Sequence, residues 1–261
     1  MQKLRRWLND ISQRKSKDDM KKLALQKNET TKTDLMILQE EKARIERRCK
    51  AKRLPHYKVK EVGGYIKKDE IFVQVVGYPG YYISNYGRLI SLKKKNSLPR
   101  LKKPQRMKCN NYMYYRMSNA SHKNGTNIYV HRAVAEAFCP NLYRDLSNDP
   151  NDVHHMNHGK RVNRPENLLW LPRYLHLYCN FIGKFGIWRE KTARNLHPLE
   201  LVEQTGLDLK DIILSVKQEP IKKVGKWSIY NVQGHMIALE LLSEISESGK
   251  GFKMKSSNKV A

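Results

Sequence analysis

Residues 153–170 read VHHMNHGKRVNRPENLLW, with apolar residues at both ends and a polar, turn-forming middle. The adjacent pair His154 and His155 opens this stretch, Asn167 follows near its end, and His176 comes six residues after it. A β-hairpin followed by a helix would bring these four side chains to one point. Such a cluster is able to hold a divalent cation and to activate a water molecule beside it.

The composition makes a polyanion the expected partner. Lys and Arg total 51 against 25 Asp and Glu, so the 261-residue chain has a net charge of +26. A field of this sign attracts nucleic acid and supplies sequence-independent affinity through counterion release. In such a chain, a phosphodiester is the expected substrate of the His/Asn cluster.

The sequence predicts a cytoplasmic protein without membrane contact. No apolar run approaches the roughly 18 residues that span a bilayer, and the basic start lacks the apolar core of a secretory signal. The cysteines are far apart and form no CxxC pair, which predicts free thiols in a reducing compartment. They are Cys49, Cys109, Cys139 and Cys179.

Residues 1–62 are predicted to form a basic helical extension. Two thin apolar stripes at helical spacing indicate two helices there. Their members are Leu4, Trp7, Leu8 and Ile11, and then Leu35, Leu38, Ile45 and Cys49. These helices could pack on the main body, pack on each other or lie along DNA, and a loosely ordered basic extension is the alternative.

Residues 63–128 are predicted to form a small antiparallel sheet module that binds DNA. The apolar run at 71–76 suits a strand, and Asn124-Gly125 is a strong hairpin signal between two further strands. Residues 129–185 would hold the catalytic unit. This unit comprises a helix over VHRAVAEAF, the hairpin, and a helix over about 173–182 that carries His176.

Two further segments complete an α+β chain of several small modules. Residues 186–230 begin with a basic connector and then predict a helix-turn-helix-like module, with short helices joined at Thr205-Gly206 and the second over about 209–217. Residues 231–261 predict a C-terminal helix that begins at MIALELLSEI, followed by a polar tail.

The residue types of the His/Asn cluster suggest separate roles in phosphodiester hydrolysis. A neutral imidazole can deprotonate water at neutral pH, so His155 is the predicted general base and Asn167 holds the loop and the imidazole in place. His154 and His176 are the predicted metal ligands, with water and phosphate oxygens filling the remaining positions. A structural zinc site formed by His154, His155, His158 and His176 is an alternative, and His131 is expected to pack or cap its helix.

The stretch VHHMNHGKRVNRPENLLW, together with His176, resembles the HNH, or ββα-metal, endonucleases. GYPGYYISNYGRLIS resembles a short module that precedes the nuclease motif in phage and intron-encoded HNH homing endonucleases, and VHRAVAEAF resembles the helix that leads into their active site. Residues 201–230 resemble their C-terminal helix-turn-helix repeat. Many members have Asp-His where this chain has His154-His155, so the substitution removes a negative charge from the metal site.

This resemblance to mobile endonucleases of large phages implies one Mg²⁺ or Mn²⁺ ion per active site and cleavage of double-stranded DNA to 5′-phosphate and 3′-hydroxyl ends. A monomer is expected, with a dimer as the alternative. The expected DNA contacts are basic residues of the sheet module, the site loop and the second helix of the helix-turn-helix-like module. They are Arg88, Lys93, Lys94, Lys95, Lys160, Arg161, Arg164, Lys210 and Lys217.

Two other functions fit the same charge and remain open. One is a noncatalytic DNA-binding regulator built on a degenerate HNH fold, which would bind duplex DNA without metal-dependent cleavage. The other is a basic RNA-binding protein, in whose case RNA would outcompete duplex DNA. Salt dependence alone does not discriminate among these functions, because all of them predict binding that weakens steeply with salt.

Overall fold

The computed structural model describes residues 32–62, 65–93, 98–145 and 151–242. Contacts divide the chain into two units, and Asp34–Leu241 is the unit that contains every element named below. The stripe predicted between Leu4 and Ile11, Lys94 and Lys95, and the predicted tail lie outside the described residues. No helix in the described part of the chain is long and apolar enough to cross a membrane.

Two helices precede the first sheet, α1 over Asp34–Lys52 and α2 over His56–Lys60. Helix α1 has an acidic residue in its first turn and lysines in its last, the arrangement that complements the helix dipole. Its Leu38 is fully buried in a core shared with later elements, and its Glu41 carboxylate accepts a hydrogen bond from Arg144 Nε at 3.1 Å. The second predicted stripe therefore packs on the main body.

Small antiparallel sheets follow, as the sequence predicts. The first is a four-stranded sheet in the order β1-β2-β3-β4, and the second has three strands in the order β5-β6-β7. Their strands are Phe72–Gln74, Tyr81–Ser84, Leu89–Ser91, Arg100–Lys102, Gln105–Arg106, Met113–Met117 and Thr126–Tyr129. The predicted Asn124-Gly125 connection lies between β6 and β7, with Gly125 at a φ of +82°.

A helix, a hairpin and a second helix come next. Helix α3 covers Val130–Phe138, the VHRAVAEAF segment, and buries the apolar face that the sequence predicts. Strands β8, Asn151–His155, and β9, Leu168–Pro172, pair antiparallel. Helix α4, Arg173–Cys179, starts directly after Pro172 and packs against both strands. It is three residues shorter than the predicted range of 173–182.

The remaining elements form a five-stranded antiparallel sheet with two helices on one face. The order is β11-β10-β14-β13-β12. The bounds are β10 Ile182–Arg189, β11 Thr192–Leu196, α5 Pro198–Thr205, α6 Leu209–Leu214, β12 Lys222–Val224, β13 Trp227–Val232 and β14 His235–Leu241. Helices α5 and α6 meet at Gly206 as predicted, but the second helix ends at Leu214 and a 3₁₀ turn covers Ser215–Lys217.

Two predictions in this region are wrong. MIALELLSEI was expected to be helical, yet its described part lies in the central strand β14. The apolar run lacks an alternating pattern because Ala238 on one face and Ile237 and Leu239 on the other are all fully buried. The expected basic connector forms β10 and β11 instead, since Phe185 and Ile187 alternate into the core.

Two apolar cores hold the elements that carry the His/Asn stretch. One lies among the first two sheets, α3 and the hairpin, and includes Tyr115, Val134 and Leu168. The other lies under α4, α5, α6 and the five-stranded sheet, and includes Leu169 and Leu171. Because alternate residues of β9 enter different cores, the hairpin separates the two cores.

Candidate active site

Strand β8 presents its two histidines to opposite sides of the hairpin. In the register with β9, His154 lies opposite Leu169 and His155 lies opposite Leu168. Successive residues of a strand point to opposite faces. The ring of His154 accordingly lies 5.1 Å from that of His176 on α4, whereas the ring of His155 lies 5.2 Å from that of His131 on α3.

The imidazole of His155 is held by a residue that the sequence did not identify. Its Nε2 lies 2.9 Å from Oδ1 of Asn163, in the loop between the two strands. The amide nitrogen of Asn163 is directed to the carbonyl of Arg161 at 3.5 Å, which orients Oδ1 toward the ring. Since that oxygen accepts the Nε2–H, the lone pair of His155 resides on Nδ1.

The environment of His155 keeps its ring neutral near pH 7. Burial lowers the pKa of His155, and the nearby positive charges of Lys160 and protonated His176 lower it further, while the hydrogen bond with Asn163 acts in the opposite direction. A neutral imidazole with a free lone pair is the state that a general base requires.

Asn167 shapes the loop and makes none of its hydrogen bonds with His155. Its Oδ1 accepts from the backbone N–H of Asn157 at 2.9 Å, and its Nδ2 donates to Asn157 Oδ1 at 2.9 Å and to the carbonyl of Val162 at 2.7 Å. The expected positioning is thus divided between two residues. Asn167 closes the loop that presents Asn163, and Asn163 contacts the ring.

The other side of the hairpin carries a group of imidazoles around His154. The His154 ring lies 5.2 Å from that of His158 and 5.1 Å from that of His176. His154 is 2 % exposed, and its buried Nε2 has no hydrogen-bond partner among the described residues. Burial, followed by the proximity of the other histidines, lowers the pKa of His154 to about 3.

His176 and His158 differ in the polar partners that their ring nitrogens already have. Nδ1 of His176 lies 3.7 Å from the Asp152 carboxylate. Burial lowers the pKa of His176, against the raising effect of Asp152. Nε2 of His158 lies 3.2 Å from the carbonyl of Ile182, and the residue occupies a left-handed turn with φ of +57°. His158 lies in the hairpin loop, as predicted.

The fit of this group to a divalent cation depends on two imidazoles. No three His, Cys, Asp or Glu side chains in the described part of the chain are already grouped as metal ligands. A buried ring nitrogen without a partner is costly, and a metal ion is one group that would satisfy it. The unpaired Nε2 of His154 beside His176 therefore fits the pair of ligands that the sequence predicts.

His131 is a second buried imidazole next to the candidate base. It packs between the ring of Tyr112, 4.5 Å away, and that of His155. Burial lowers its pKa to about 3, and its buried Nδ1 has no hydrogen-bond partner among the described residues. The packing role predicted for His131 is observed. Its contact with His155 could not be read from the sequence, because α3 and β8 are separated by a long connection.

The predicted DNA-contacting residues differ in availability. The guanidinium of Arg88 is engaged inside the protein, where it forms an ion pair with the buried Glu70 and donates to the carbonyl of Tyr65 at 2.9 Å. This engagement explains why Arg88 is a poor candidate for phosphate contact. Lys94 and Lys95 lie outside the described residues.

The basic residues of the site loop lie over aromatic rings. Arg164 lies 4.3 Å from the ring centre of Tyr86, and Lys160 lies 4.9 Å from that of Tyr112. Arg161 is exposed. Farther away, Lys93 lies 5.7 Å from the Tyr81 ring and Lys217 lies 4.5 Å from the Tyr178 ring, and Lys210 is exposed on α6.

The first sheet module touches the site loop directly. The turn residue Gly87 has a φ of +76°, and a Cβ placed on it would lie 3.1 Å from Val130 and 3.3 Å from the carbonyl oxygen of Asn163. Tyr115 donates a hydrogen bond to the carbonyl of Gly87 at 3.1 Å. The glycine is required both by its backbone conformation and by the close approach of the loop.

Comparisons with known proteins give one motif and one weak structural likeness. Residues 70–118 match the NUMOD4 motif, a segment that begins just before β1 and ends just after β6. The resemblance of GYPGYYISNYGRLIS to an upstream module is thereby supported, although the motif covers less than half of the chain. No curated protein matches the chain.

One solved structure is similar over much of the chain. Its title is "DNA binding and cleavage by the HNH homing endonuclease I-HmuI", and the match covers 64% of this chain and 97% of that one at 18% identity. The TM-score is 0.34, which is too low to establish a shared fold.

Proposed function

We propose that this chain is a metal-dependent HNH-type DNA endonuclease of the homing or mobile kind. The four side chains expected at one point lie on two sides of the hairpin, but both histidines stand at the end of β8, where Asn163 orients His155 and His154 meets His176. This arrangement carries the proposal, and it requires the phosphodiester to lie across the strand end, within reach of both groups. The NUMOD4 motif, which precedes helix α3 and the hairpin in the chain, and the net charge of +26 support DNA as the substrate.

His155 is proposed to remove the proton from the attacking water through Nδ1. Asn163 accepts the Nε2–H and thereby selects the tautomer in which Nδ1 carries the lone pair. Asn167 maintains the loop that holds Asn163 in place. The resemblance to HNH endonucleases implies that the products carry 5′-phosphate and 3′-hydroxyl ends.

His154 and His176 are the proposed ligands of one divalent cation. When bound, the cation would stabilise the additional negative charge on the phosphate and on the leaving 3′ oxygen. Imidazole donors suit first-row transition metals, whereas Mg²⁺ prefers carboxylate and water oxygens. Because His154 stands where many HNH enzymes have Asp, we expect Mn²⁺ to support cleavage better than Mg²⁺.

A plasmid-nicking assay with purified protein and a series of divalent cations tests the proposal. We expect metal-dependent nicking that falls by roughly 10²- to 10⁴-fold in His155→Ala, the range for loss of a general base. Cleavage by His155→Ala at the wild-type rate would show that the assigned base is wrong. The resulting ends can be identified by ligation and by polymerase extension.

A noncatalytic DNA-binding regulator is the second candidate, and the observation that favours it is His154 in place of Asp. Without that carboxylate the proposed ligands are neutral, which weakens the attraction for a hard cation. This candidate predicts tight, salt-sensitive binding to duplex DNA and no nicking with Mg²⁺, Mn²⁺, Co²⁺ or Ni²⁺. Nicking that depends on both His154 and His155 would exclude it.

A further inference from the structure

The five-stranded sheet has two unlike faces. Phe185 and Ile187 of β10, and Ile237 and Leu239 of β14, point into the core beneath α5 and α6. The residues between them point to the opposite face, which is turned away from these helices. In the strand register, Gly186, Ala238 and Ile229 lie side by side along the middle of this second face.

Two tryptophans and three lysines surround that row of small and apolar residues. A Cβ placed on Gly186 would lie 3.5 Å from the ring of Trp227. Nζ of Lys222 lies 4.8 Å from the ring centre of Trp188, and Nζ of Lys226 lies 5.8 Å from that of Trp227. We call this surface the Trp–Lys face; it consists of Lys184, Trp188, Lys222, Lys226 and Trp227.

The Trp–Lys face carries a positive surplus. Glu240 lies in the same row as Lys184 and Trp227, and its carboxylate is 3.1 Å from Lys184 Nζ and 3.2 Å from Lys226 Nζ. The face thus carries three ammonium groups and the carboxylate of Glu240, which pairs with Lys184 and Lys226 and leaves Lys222 over Trp188. The lysine side chains of this face are accessible, since those of Lys184 and Lys226 are 42% and 54% exposed and Lys222 is also exposed.

This combination suits a sugar-phosphate backbone. Ammonium groups bind phosphate oxygens, and partly exposed indole rings offer flat apolar surface to the deoxyribose rings. Helix α6, expected from the sequence to enter the major groove, has only six residues, of which Leu209, Ile212 and Ile213 are fully buried. We propose that the Trp–Lys face binds the backbone of duplex DNA outside the cleavage position, an inference that takes its ligand from the proposed function.

Salt-dependent binding of the full chain to duplex DNA tests this role. The test variant is Lys184→Gln/Lys222→Gln/Lys226→Gln. The matched control is Lys50→Gln/Lys52→Gln/Lys60→Gln, which removes the same charge at exposed positions outside the sheet module and the site loop. Binding is measured in EDTA, so no cleavage is needed. If each lost phosphate contact reduces the log–log salt slope by about 0.9, the test variant should lose about 2 to 3 from the slope.

The control separates a local contact from the overall charge. We expect the control slope to stay within about 1 of the wild-type slope. Equal losses in the two triple variants, or an unchanged slope in the test variant, would overturn the proposal. Thermal unfolding of both variants verifies that the exposed replacements leave the fold intact.

Lysine acetylation read by mass spectrometry gives a second, direct measurement. Lys222 and Lys226 should react in the free protein and become at least several-fold slower in the DNA complex, while Lys52 remains equally reactive. Slow reaction of Lys222 in the free protein would mean that a protein segment or a second copy covers the face, and the proposal would fail. A chain that shows this protection but never nicks DNA would refute the proposed function alone.

Discussion

Replacing Asn163 with Ala removes the acceptor for the Nε2–H of His155 while leaving the metal ligands untouched. The bond is 2.9 Å long, and both residues are buried, so water cannot easily take the place of the amide. An unsatisfied buried donor costs about 1–3 kcal/mol. If this cost is expressed as loss of the reactive tautomer and orientation, nicking should slow by about 5- to 150-fold.

The double-mutant cycle distinguishes this role from a purely structural one. With His155→Ala as the background, Asn163 has no ring to orient, so adding Asn163→Ala should slow single-turnover nicking by less than about twofold. The reactions use saturating protein, which removes differences in DNA binding. If Asn163→Ala slows the His155→Ala protein by the same factor as the wild type, then Asn163 does not act through His155.

Three further predictions address the metal site, the packing of helix α1 and the turn at Gly87. His154→Asp, which introduces the carboxylate common in HNH enzymes, should raise the ratio of Mg²⁺- to Mn²⁺-supported nicking by about 10- to 100-fold, and an unchanged ratio would argue against His154 as a ligand. Glu41→Gln should lower the free energy of unfolding at pH 7 by about 1–3 kcal/mol in urea titrations. Burial raises the pKa of Glu41, but its hydrogen-bond partners outweigh burial and lower this pKa in the folded state. The stabilisation by Glu41 is therefore complete above the unfolded pKa of about 4.3 and should be lost as pH falls through the folded pKa. A stability difference between wild type and Glu41→Gln that persists at lower pH would contradict this origin. Gly87→Ala should destabilise the protein by about 1 kcal/mol or more beyond the effect of Gly206→Ala. Both glycines have a positive φ, but nothing lies within 4 Å of a Cβ placed on Gly206. Equal urea midpoints for the two variants would refute the close approach at Gly87.

The sequence predicts elements well where the pattern is local. Helix α3 has the bounds of VHRAVAEAF because its apolar side faces one core. The hairpin is also readable, since turn-forming residues separate two apolar strands. In contrast, the middle of β14, Ile237 to Leu239, is buried on both faces, so its composition matches a helix as well as a strand.

Only part of the candidate site could be predicted from the sequence, for a related reason. The proximity of His154 and His176 could be predicted because a strand and the helix that follows it fix their approximate directions, and the roles of His154, His155 and His176 stay predictions. The partner of His155 depends on how the loop between the strands folds back, which no periodicity describes, and Asn163 was therefore missed. The internal partner of Arg88 was missed for the same reason, because Glu70 lies on a different segment of the sheet module.

The contact at Gly87 links the NUMOD4 motif to the chemistry proposed at His155. Gly87 lies within the matched residues 70–118, and a Cβ placed on it would lie 3.3 Å from the carbonyl oxygen and 3.4 Å from the Cβ of Asn163. Close-packed interiors transmit small displacements, so a shift of this turn would reach the hydrogen bond that orients His155. The NUMOD4 segment thus packs directly against the loop that contains Asn163.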